Sequence, residues 1–146
     1  MKVEIIRFHL LSSLYFAPEK DPDPFGYREG SGEKLFCFDL DESQCRSIEP
    51  DKTKLLGNLV FGGEAAGAVR KETTGTGTLC LELPRGNYLF AQKREILSRE
   101  DIINLAAEIQ SEGLWQRLKP GKRLYLRYLF EDGREVTQLF RPYAED

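Results

Sequence analysis

Two carboxylates, Asp39 and Asp41, follow directly after the hydrophobic run 35–38. Carboxylates in such a place can act as a nucleophile and as a general acid or base. The same residues also allow a structural interpretation, because Asp41 can cap a short helix over 41–48 that stops before Pro50. A motif of two residues gains meaning only from its structural context, and we therefore favour the capping role.

The other residue types that could carry chemistry are few. The one histidine, His9, lies near two serines, but the chain lacks the G-x-S-x-G turn that presents a nucleophilic serine. Cysteines at positions 37, 45 and 80 match neither a disulfide framework nor a zinc pattern. The runs around Cys37 and Cys80 are typical of strands in which cysteine is a small buried residue. The sequence therefore predicts no catalytic residue, no metal site and no cofactor.

Composition places the chain among ordinary globular domains. Its 146 residues are 40% hydrophobic and 31% charged, which predicts a single domain over 1–146 with a real core. No apolar run approaches the ~20 residues that cross a bilayer, and the acid-containing N-terminus does not resemble a signal peptide. We therefore expect a soluble, cytoplasmic protein with no membrane contact. A net charge of −3 gives no footprint for direct nucleic-acid binding.

Patterns of alternating and β-branched residues predict a mostly antiparallel sheet of about six to eight strands. The segments that predict strands are 3–11 with an extension through 16, 34–40, 55–61, 65–71, 78–83, 88–93, 123–131 and 134–143. Residues 17–33 hold three prolines and three glycines, which predicts a long loop. A loop of that length in a compact domain is either functional or disordered.

One main amphipathic helix is predicted over 99–112, which makes the fold class α+β. Ser98 followed by Asp101 is typical of an N-terminal capping box, and Gly113 suits the left-handed position of a Schellman ending. One stripe of apolar residues recurs at helical spacing and is expected to face a core: Ile102, Leu105, Ala106 and Ile109.

The last two strands are predicted to form a hairpin around Asp132-Gly133, a turn that needs positive φ at both central positions. Both faces of this hairpin are partly apolar and partly polar, so we expect one face under the helix and the other lining a shallow groove. The register gives four cross-strand pairs: Phe130 with Glu135, Leu126 with Leu139, Tyr125 with Phe140, and Arg127 with Gln138.

A longer combination of these elements resembles a known family. The strand at 81–83 enters the turn Pro84-Arg85-Gly86-Asn87-Tyr88, and a second strand, the helix, Leu114-Trp115 and the closing hairpin follow. Over about residues 60–143 this order resembles one half of a GyrI-like (AraC-type) effector-binding domain. The resemblance implies a pseudo-symmetric domain with a central groove for small, often aromatic or cationic, molecules. Where the family often has a groove glutamate this chain has Arg123-Leu124-Tyr125, so no binding residue is carried over.

From these features we predict a small-molecule-binding or regulatory domain without catalytic activity, with its ligand groove on the sheet. The ligand would be a small apolar or aromatic molecule. Packing in the core is the competing explanation for aromatic residues at strand spacing. The residues predicted to line the groove are five aromatic residues and two polar contacts: Tyr88, Phe90, Trp115, Tyr125 and Phe140, with Glu82 and Arg127.

Two other function classes remain open. The first alternative is a protein-interaction module that uses the 17–33 loop or an exposed sheet edge to bind a protein partner. The second is a carboxylate-based hydrolase, because a strand ending in Asp39-x-Asp41 resembles the first motif of haloacid-dehalogenase-type phosphatases. Their fold is a doubly wound parallel sheet, whereas this sequence predicts hairpins, so the hydrolase ranks third.

Overall fold

The computed structural model describes residues 3–56, 58–65 and 81–145. Within them, the chain forms one α-helix and nine strands, and all the strand pairs are antiparallel. This confirms the predicted α+β class, although the sheet dominates. Helix α1 spans Arg99–Trp115. The strands are β1 (Ile6–Leu10), β2 (Leu14–Pro18), β3 (Lys34–Asp39), β4 (Asn58–Glu64), β5 (Leu81–Leu83), β6 (Gly86–Lys93), β7 (Lys119–Pro120), β8 (Arg123–Glu131) and β9 (Arg134–Ala144).

The sheet curls until its two ends meet. Its strands pair in the order β1-β6-β9-β8-β3-β4-β2-β5, and β7 pairs with β9. The strand at the far end of this path, β5, runs through residues 84–85 directly into β6, the second strand of the path. The pairs Leu10 with Gly86 and Leu14 with Leu83 lie in nearly the same register. The segments β1–β2 and β5–β6 are therefore two bent strands that pair with each other on both sides of the bend. The curled sheet has an inner, concave face and an outer, convex face.

The two faces of the sheet carry separate cores, because side chains alternate between faces along each strand. The outer face packs under α1, whose predicted apolar stripe is buried as expected. The face that was expected to line a shallow groove is instead turned inward by the curl. Its buried residues form one cluster: Phe16, Leu35, Cys37, Leu83, Tyr88, Phe90, Tyr125 and Phe140.

Several local predictions are confirmed. The Ser98 hydroxyl accepts a hydrogen bond from the Asp101 amide at 3.2 Å and caps α1. The Asp41 carboxylate likewise accepts from the Ser43 amide at 3.0 Å, although the helix predicted for 41–48 is only a 3-10 turn at Glu42–Gln44. The closing hairpin turns at Asp132-Gly133 with φ of 52° and 77°, and all four predicted pairs of β8 and β9 are present.

The end of α1 was predicted about one turn too early. Arg117, not Gly113, adopts the left-handed φ, at 61°. The Leu118 amide donates to the Gly113 carbonyl at 2.9 Å and the Arg117 amide donates to the Leu114 carbonyl at 3.0 Å. These are the two bonds of a Schellman ending. The kind of ending is thus as predicted, but the helix continues to Trp115.

Gly113 has a packing role inside the helix. A Cβ at this position would lie 2.5 Å from Cδ1 of Leu89 and 3.3 Å from Cγ of Pro120. Leu89 lies on β6 and is fully buried. The missing side chain therefore lets the last turns of α1 approach the outer face of the sheet closely.

The proline- and glycine-rich loop packs on the outer face of the sheet. Its first two predicted residues, 17–18, belong instead to β2 and pair with β4. The Tyr27 ring stacks on Tyr128 with 4.1 Å between centroids, and the Tyr128 hydroxyl donates to the Pro24 carbonyl at 2.7 Å. Phe25 stacks on Phe38 in the same way, with 5.9 Å between centroids. The loop therefore adds its aromatic residues to the outer core.

Two expectations fall wholly or mostly on residues outside the described ranges. The predicted strand 65–71 lies outside them apart from its first residue, and the predicted strand 78–83 is described only from Leu81. Cys80 is therefore not placed, whereas Cys37 is buried as predicted. Among the described residues, no helix combines the length and the apolar character needed to span a membrane.

A buried arginine connects the sheet, the helix and the 41–48 segment. Arg141 on β9 has no exposed surface, and this burial lowers its pKa to about 10. Its Nε donates to the Gly121 carbonyl at 2.7 Å and its Nη1 donates to Oε1 of Gln110 on α1 at 3.1 Å. The Gln110 amide in turn donates to the backbone carbonyls of Gln44 and Ser47 at 2.5 and 2.7 Å. One glutamine therefore holds both a buried charge and a neighbouring loop.

Replacing Gln110 with leucine is expected to lower the free energy of unfolding by about 2–4 kcal/mol. The change leaves Nη1 of Arg141 without its acceptor, although Nε keeps the Gly121 carbonyl. It also removes the amide that the part-buried carbonyls of Gln44 and Ser47 share. The double variant Gln110→Leu/Arg141→Met should recover part of this loss, because the buried charge disappears together with its acceptor. Urea titration followed by circular dichroism measures both. A double variant no more stable than the single one contradicts this account.

Replacing Gly113 with valine is expected to lower the free energy of unfolding by about 1–3 kcal/mol, because the new side chain overpacks against Leu89. Glu108→Val, at an exposed position of the same helix, is the matched control. It should cost no more than the ~0.7 kcal/mol that helix propensity accounts for. Equal losses in the two variants, measured by urea titration, would show that Gly113 has no packing role.

Candidate functional site

Four of the seven residues predicted to line a ligand groove lie together inside the curled sheet. Tyr88, Phe90, Tyr125 and Phe140 are each at most 8% exposed. The Tyr88 ring meets Tyr125 and Phe140 edge to face, with centroids 6.2 and 5.5 Å apart. Phe90 lies 4.9 Å from Phe140. These rings pack against one another, as the competing core explanation expects.

Burial holds the titratable groups of this interior in their neutral forms. It raises the pKa of the Cys37 thiol to about 11 and raises the pKa of the Tyr88 hydroxyl well above its usual value. The pKa of the Tyr125 hydroxyl is also raised, first by burial and then by the neighbouring Cys37. The Tyr88 hydroxyl donates to the Pro84 carbonyl. A protonated thiol is a weak nucleophile, so the interior supplies packing rather than an activated group at neutral pH.

Arg127 lies at one end of the inner face, in a row of polar side chains. Its Nε and Nη2 donate to the Glu33 carboxylate at 2.9 and 2.7 Å, and its Nη1 donates to Oε1 of Gln138 at 3.2 Å. The Gln138 amide donates to Oε1 of Gln92 at 3.0 Å. The chain itself therefore occupies the guanidinium that was predicted as a ligand contact.

Glu82 lies on β5, opposite Tyr15 of β2. Its neighbour Leu83 belongs to the inner cluster, and its other neighbour, Leu81, packs against that cluster. Because side chains alternate along a strand, Glu82 lies on the opposite face. The structure therefore does not place this carboxylate among the inner aromatic residues.

Trp115 lies apart from the inner cluster, on the last turn of α1, and its side chain is 72% exposed. It borders a groove of about 480 Å³ between the helix and the segment 3–5. We call this the Trp115 groove. Three carboxylates, two aliphatic side chains and one hydroxyl complete its lining: Glu4, Glu108, Glu112, Val3, Ile5 and Ser111. An exposed indole thus lies beside a cluster of acids.

Helical spacing and one relay of hydrogen bonds position this lining. Glu108, Glu112 and Trp115 lie at i, i+4 and i+7 and so share one face of α1. The Glu112 carboxylate accepts from the Gln116 amide at 2.9 Å, and Oε1 of Gln116 accepts from Nε of Arg7 at 2.8 Å. The relay ties the end of the helix to β1 and fixes the direction of Glu112.

The glutamates of this groove were not among the predicted site residues. Their signal was present in the sequence, as the helical spacing of Glu108 and Glu112 with Trp115. Ending the predicted helix at 112 hid it, because Trp115 was then placed beyond the helix. The segment 3–5 meets α1 only through tertiary packing, and no local pattern could have assigned it.

Asp39 and Asp41 line a different cleft, of about 540 Å³. Asp39 pairs with Arg123, with 3.3 Å between its Oδ1 and the guanidinium Nε. Hydrogen bonds from the Ser43 hydroxyl and amide lower the pKa of Asp41, which therefore stays ionised at neutral pH. Both carboxylates thus have structural partners, and the antiparallel sheet differs from the parallel fold of the hydrolase motif. The rest of the lining includes Glu42, Lys54, Asn58 and Lys122.

The positions of the possible metal ligands can be compared in the described residues. In the ranges that the structure describes, no group of three His, Cys, Asp or Glu side chains is arranged to hold a metal ion. The single histidine is engaged at the edge of the sheet, where Nδ1 of His9 lies 2.7 Å from Oδ1 of Asn87. The Trp115 groove therefore combines one predicted site residue, the exposed Trp115, with carboxylates that were not predicted. We take it as the candidate binding site.

No model of a protein family matches the chain, and no curated protein matches it in sequence. The choice of the Trp115 groove as the candidate site therefore rests on its geometry.

Proposed function

We propose that this chain is a non-catalytic small-molecule-binding domain whose ligand is a hydrophobic cation held in the Trp115 groove. The observation that carries the proposal is an indole that is 72% exposed and borders the same groove as three carboxylates. An aromatic face and negative charge together favour one class of ligand. That class is a cation with an apolar body.

The indole is the strongest single contact for such a ligand. A tryptophan that remains largely exposed in a folded chain retains apolar surface that a ligand can cover. The face of its ring also attracts cations, by about 0.5–2 kcal/mol depending on how far the pair is removed from water. Val3 and Ile5 offer aliphatic surface across the groove for the apolar part of the ligand.

The carboxylates add charge that the described chain does not neutralise. No ion pair joins Glu4 or Glu108 to a basic side chain in the described part of the chain. Glu112 is hydrogen-bonded to the neutral amide of Gln116, and the Arg7 guanidinium is linked to it only through that amide. Like charges along one groove repel one another, so a bound cation gains from all three. The volume of about 480 Å³ falls within the ~300–1,000 Å³ typical of small-molecule sites.

The chemistry of the groove supports binding rather than catalysis. Its one hydroxyl, on Ser111, donates to the Ile48 carbonyl at 2.5 Å, so no carboxylate activates it. Elsewhere, the Cys37 thiol is buried and its pKa is raised to about 11. Asp39 and Asp41 are occupied by Arg123 and Ser43. A nucleophile with an adjacent base, which covalent catalysis needs, is not assembled among these groups.

The proposal moves the ligand from the predicted groove on the sheet to the flank of the helix. The ligand class implied by the GyrI-like resemblance agrees with an indole beside acids, and the resemblance itself stays a prediction. The alternative of a protein-interaction module using the 17–33 loop also stays a prediction. It gains less support, because Phe25 and Tyr27 of that loop are packed on the sheet.

Benzyltrimethylammonium is expected to bind with a Kd of roughly 10 µM to 1 mM and to change the fluorescence of Trp115. Trp115 is the one tryptophan of the chain, so the signal reports on this groove. Neopentylbenzene has nearly the same shape without the charge. It should bind at least about tenfold more weakly, because it forfeits the cation–π and carboxylate terms.

Three variants complete this test. Glu4→Gln and Glu112→Gln should each weaken binding of the cation by about two- to fivefold, which corresponds to the loss of one partly exposed charge interaction. Phe130→Ala removes another exposed aromatic side chain, 61% exposed on β8, and should leave binding unchanged. If the neutral compound binds as tightly as the cation, or if the fluorescence of Trp115 does not respond to the cation, the proposal is wrong.

A further inference from the structure

Strand β1 lies at one end of the sheet and has a free edge in the described part of the chain. It pairs with β6 along its whole length, Ile6–Leu10, and no other described strand bonds to it. Alternate residues of a strand direct their backbone N–H and C=O groups to opposite sides. The free edge of β1 therefore presents backbone donors and acceptors with which a further strand can pair.

The features that usually protect a sheet edge are missing from β1. Protected edges carry proline, lysine or a bulge, whereas β1 has the sequence IRFHL and pairs with β6 without a shift in register. Its one permanently charged side chain, Arg7, is held beside the end of α1, where it donates to Oε1 of Gln116 at 2.8 Å and pairs with Glu145 at 3.3 Å. Arg7 therefore does not keep another strand away from the edge.

Apolar surface borders this edge at both ends. Ile6, the first residue of β1, is 41% exposed, and Leu11, directly after its last residue, is 80% exposed. Leu11 is thus more exposed than Trp115. A strand that bonds to β1 would cover apolar surface as well as backbone groups.

The residues around β1 select the partner strand, because their pattern reads the same in both directions from Phe8. On each side of Phe8 comes a nitrogen-bearing side chain and then two aliphatic ones. These are Arg7, Ile6 and Ile5 toward the N-terminus and His9, Leu10 and Leu11 toward the C-terminus. In an antiparallel pair of identical strands, residues at equal distances from the two-fold axis lie directly opposite each other. A pattern that reads the same both ways therefore complements itself.

We infer that β1 pairs antiparallel with β1 of a second copy of this chain, across a two-fold axis at Phe8. That register places Ile6 opposite Leu10 of the second copy, so two aliphatic side chains meet on one face. It places Arg7 opposite His9 of the second copy on the other face. An axis one residue earlier would place Arg7 opposite Arg7, and an axis one residue later would place Arg7 opposite an aliphatic side chain. Axes farther away pair fewer residues of β1.

The pairing joins the inner faces of the two sheets. Leu10 packs against the inner cluster, and Ile6 lies on the same face because side chains alternate along a strand. The second copy therefore covers Ile6, and the five residues of β1 supply about four to six backbone hydrogen bonds across the axis. A standard interface has ~20–30 residues a side, so we expect a weak dimer. The inference does not depend on the ligand proposed for the Trp115 groove.

Sedimentation equilibrium of the whole chain measures this association. We expect a monomer–dimer equilibrium with a Kd of roughly 1–100 µM. Ile6→Asp should weaken the dimer at least about tenfold, because a carboxylate then lies opposite Leu10 of the second copy. Val60→Asp is the matched control: Val60 lies on β4, is also 41% exposed, and its replacement should leave the Kd unchanged. Circular dichroism checks that both variants are folded.

Two substitutions of His9 test the register. Both remove the contact of His9 with Asn87, so they differ mainly in charge. His9→Glu should tighten the dimer by about two- to thirtyfold, because an acid then lies opposite Arg7 of the second copy in both halves of the interface. His9→Arg should weaken it by a similar factor, because two guanidinium groups then lie opposite each other. Net charge alone predicts the reverse order, since the chain already carries −3.

Four outcomes overturn the inference. The first is a chain that stays monomeric at about 1 mM. Equal effects of Ile6→Asp and Val60→Asp would place the interface elsewhere. A change of Kd in the same direction in His9→Glu and His9→Arg would contradict the axis at Phe8. Association that continues past a dimer would show that the copies join without a closed two-fold axis.

Discussion

Closure of the sheet rests on β2, which bonds to β5 through residues 14–16 and to β4 through residues 17–18. Because the curl turns one face inward, away from water, that face must be filled with apolar side chains. Aromatic and leucine side chains fill it. Burial keeps the two tyrosine hydroxyls and the Cys37 thiol of this face protonated. Helix α1 covers the outer face, and Trp115 at its end remains exposed.

Features that depend on neighbours in the sequence could be predicted, and features that depend on closure could not. The Ser98 cap, the Asp132-Gly133 turn and the register of the last hairpin each follow from a few adjacent residues. The pairing of β2 with β4 joins residues far apart in the chain, and no local pattern announces it. Gly113 shows the same limit. In the sequence, a glycine that ends a helix cannot be told from one that lets a strand pack closely, and only the contact with Leu89 distinguishes the two.

The candidate site follows the same division. Aromatic residues predicted from strand spacing were collected by the sheet, and the curl placed them inside. Trp115 belongs to the helix and lies outside the curled sheet. The helical spacing of Glu108 and Glu112 places both carboxylates beside it. The sequence therefore contained the helical half of the Trp115 groove. The half supplied by the segment 3–5 depends on tertiary packing, which single-sequence patterns do not encode.

The exposed indole of the Trp115 groove stands on backbone that hydrogen bonds hold in place. Trp115 lies between the residues whose backbone groups make the Schellman bonds that end α1. A flexible apolar side chain could fold back onto the protein and hide. On a fixed backbone it stays exposed, and a ligand that covers it gains the buried area without paying to order the site. The hydrogen bonds that end α1 thus also keep Trp115 in position to bind.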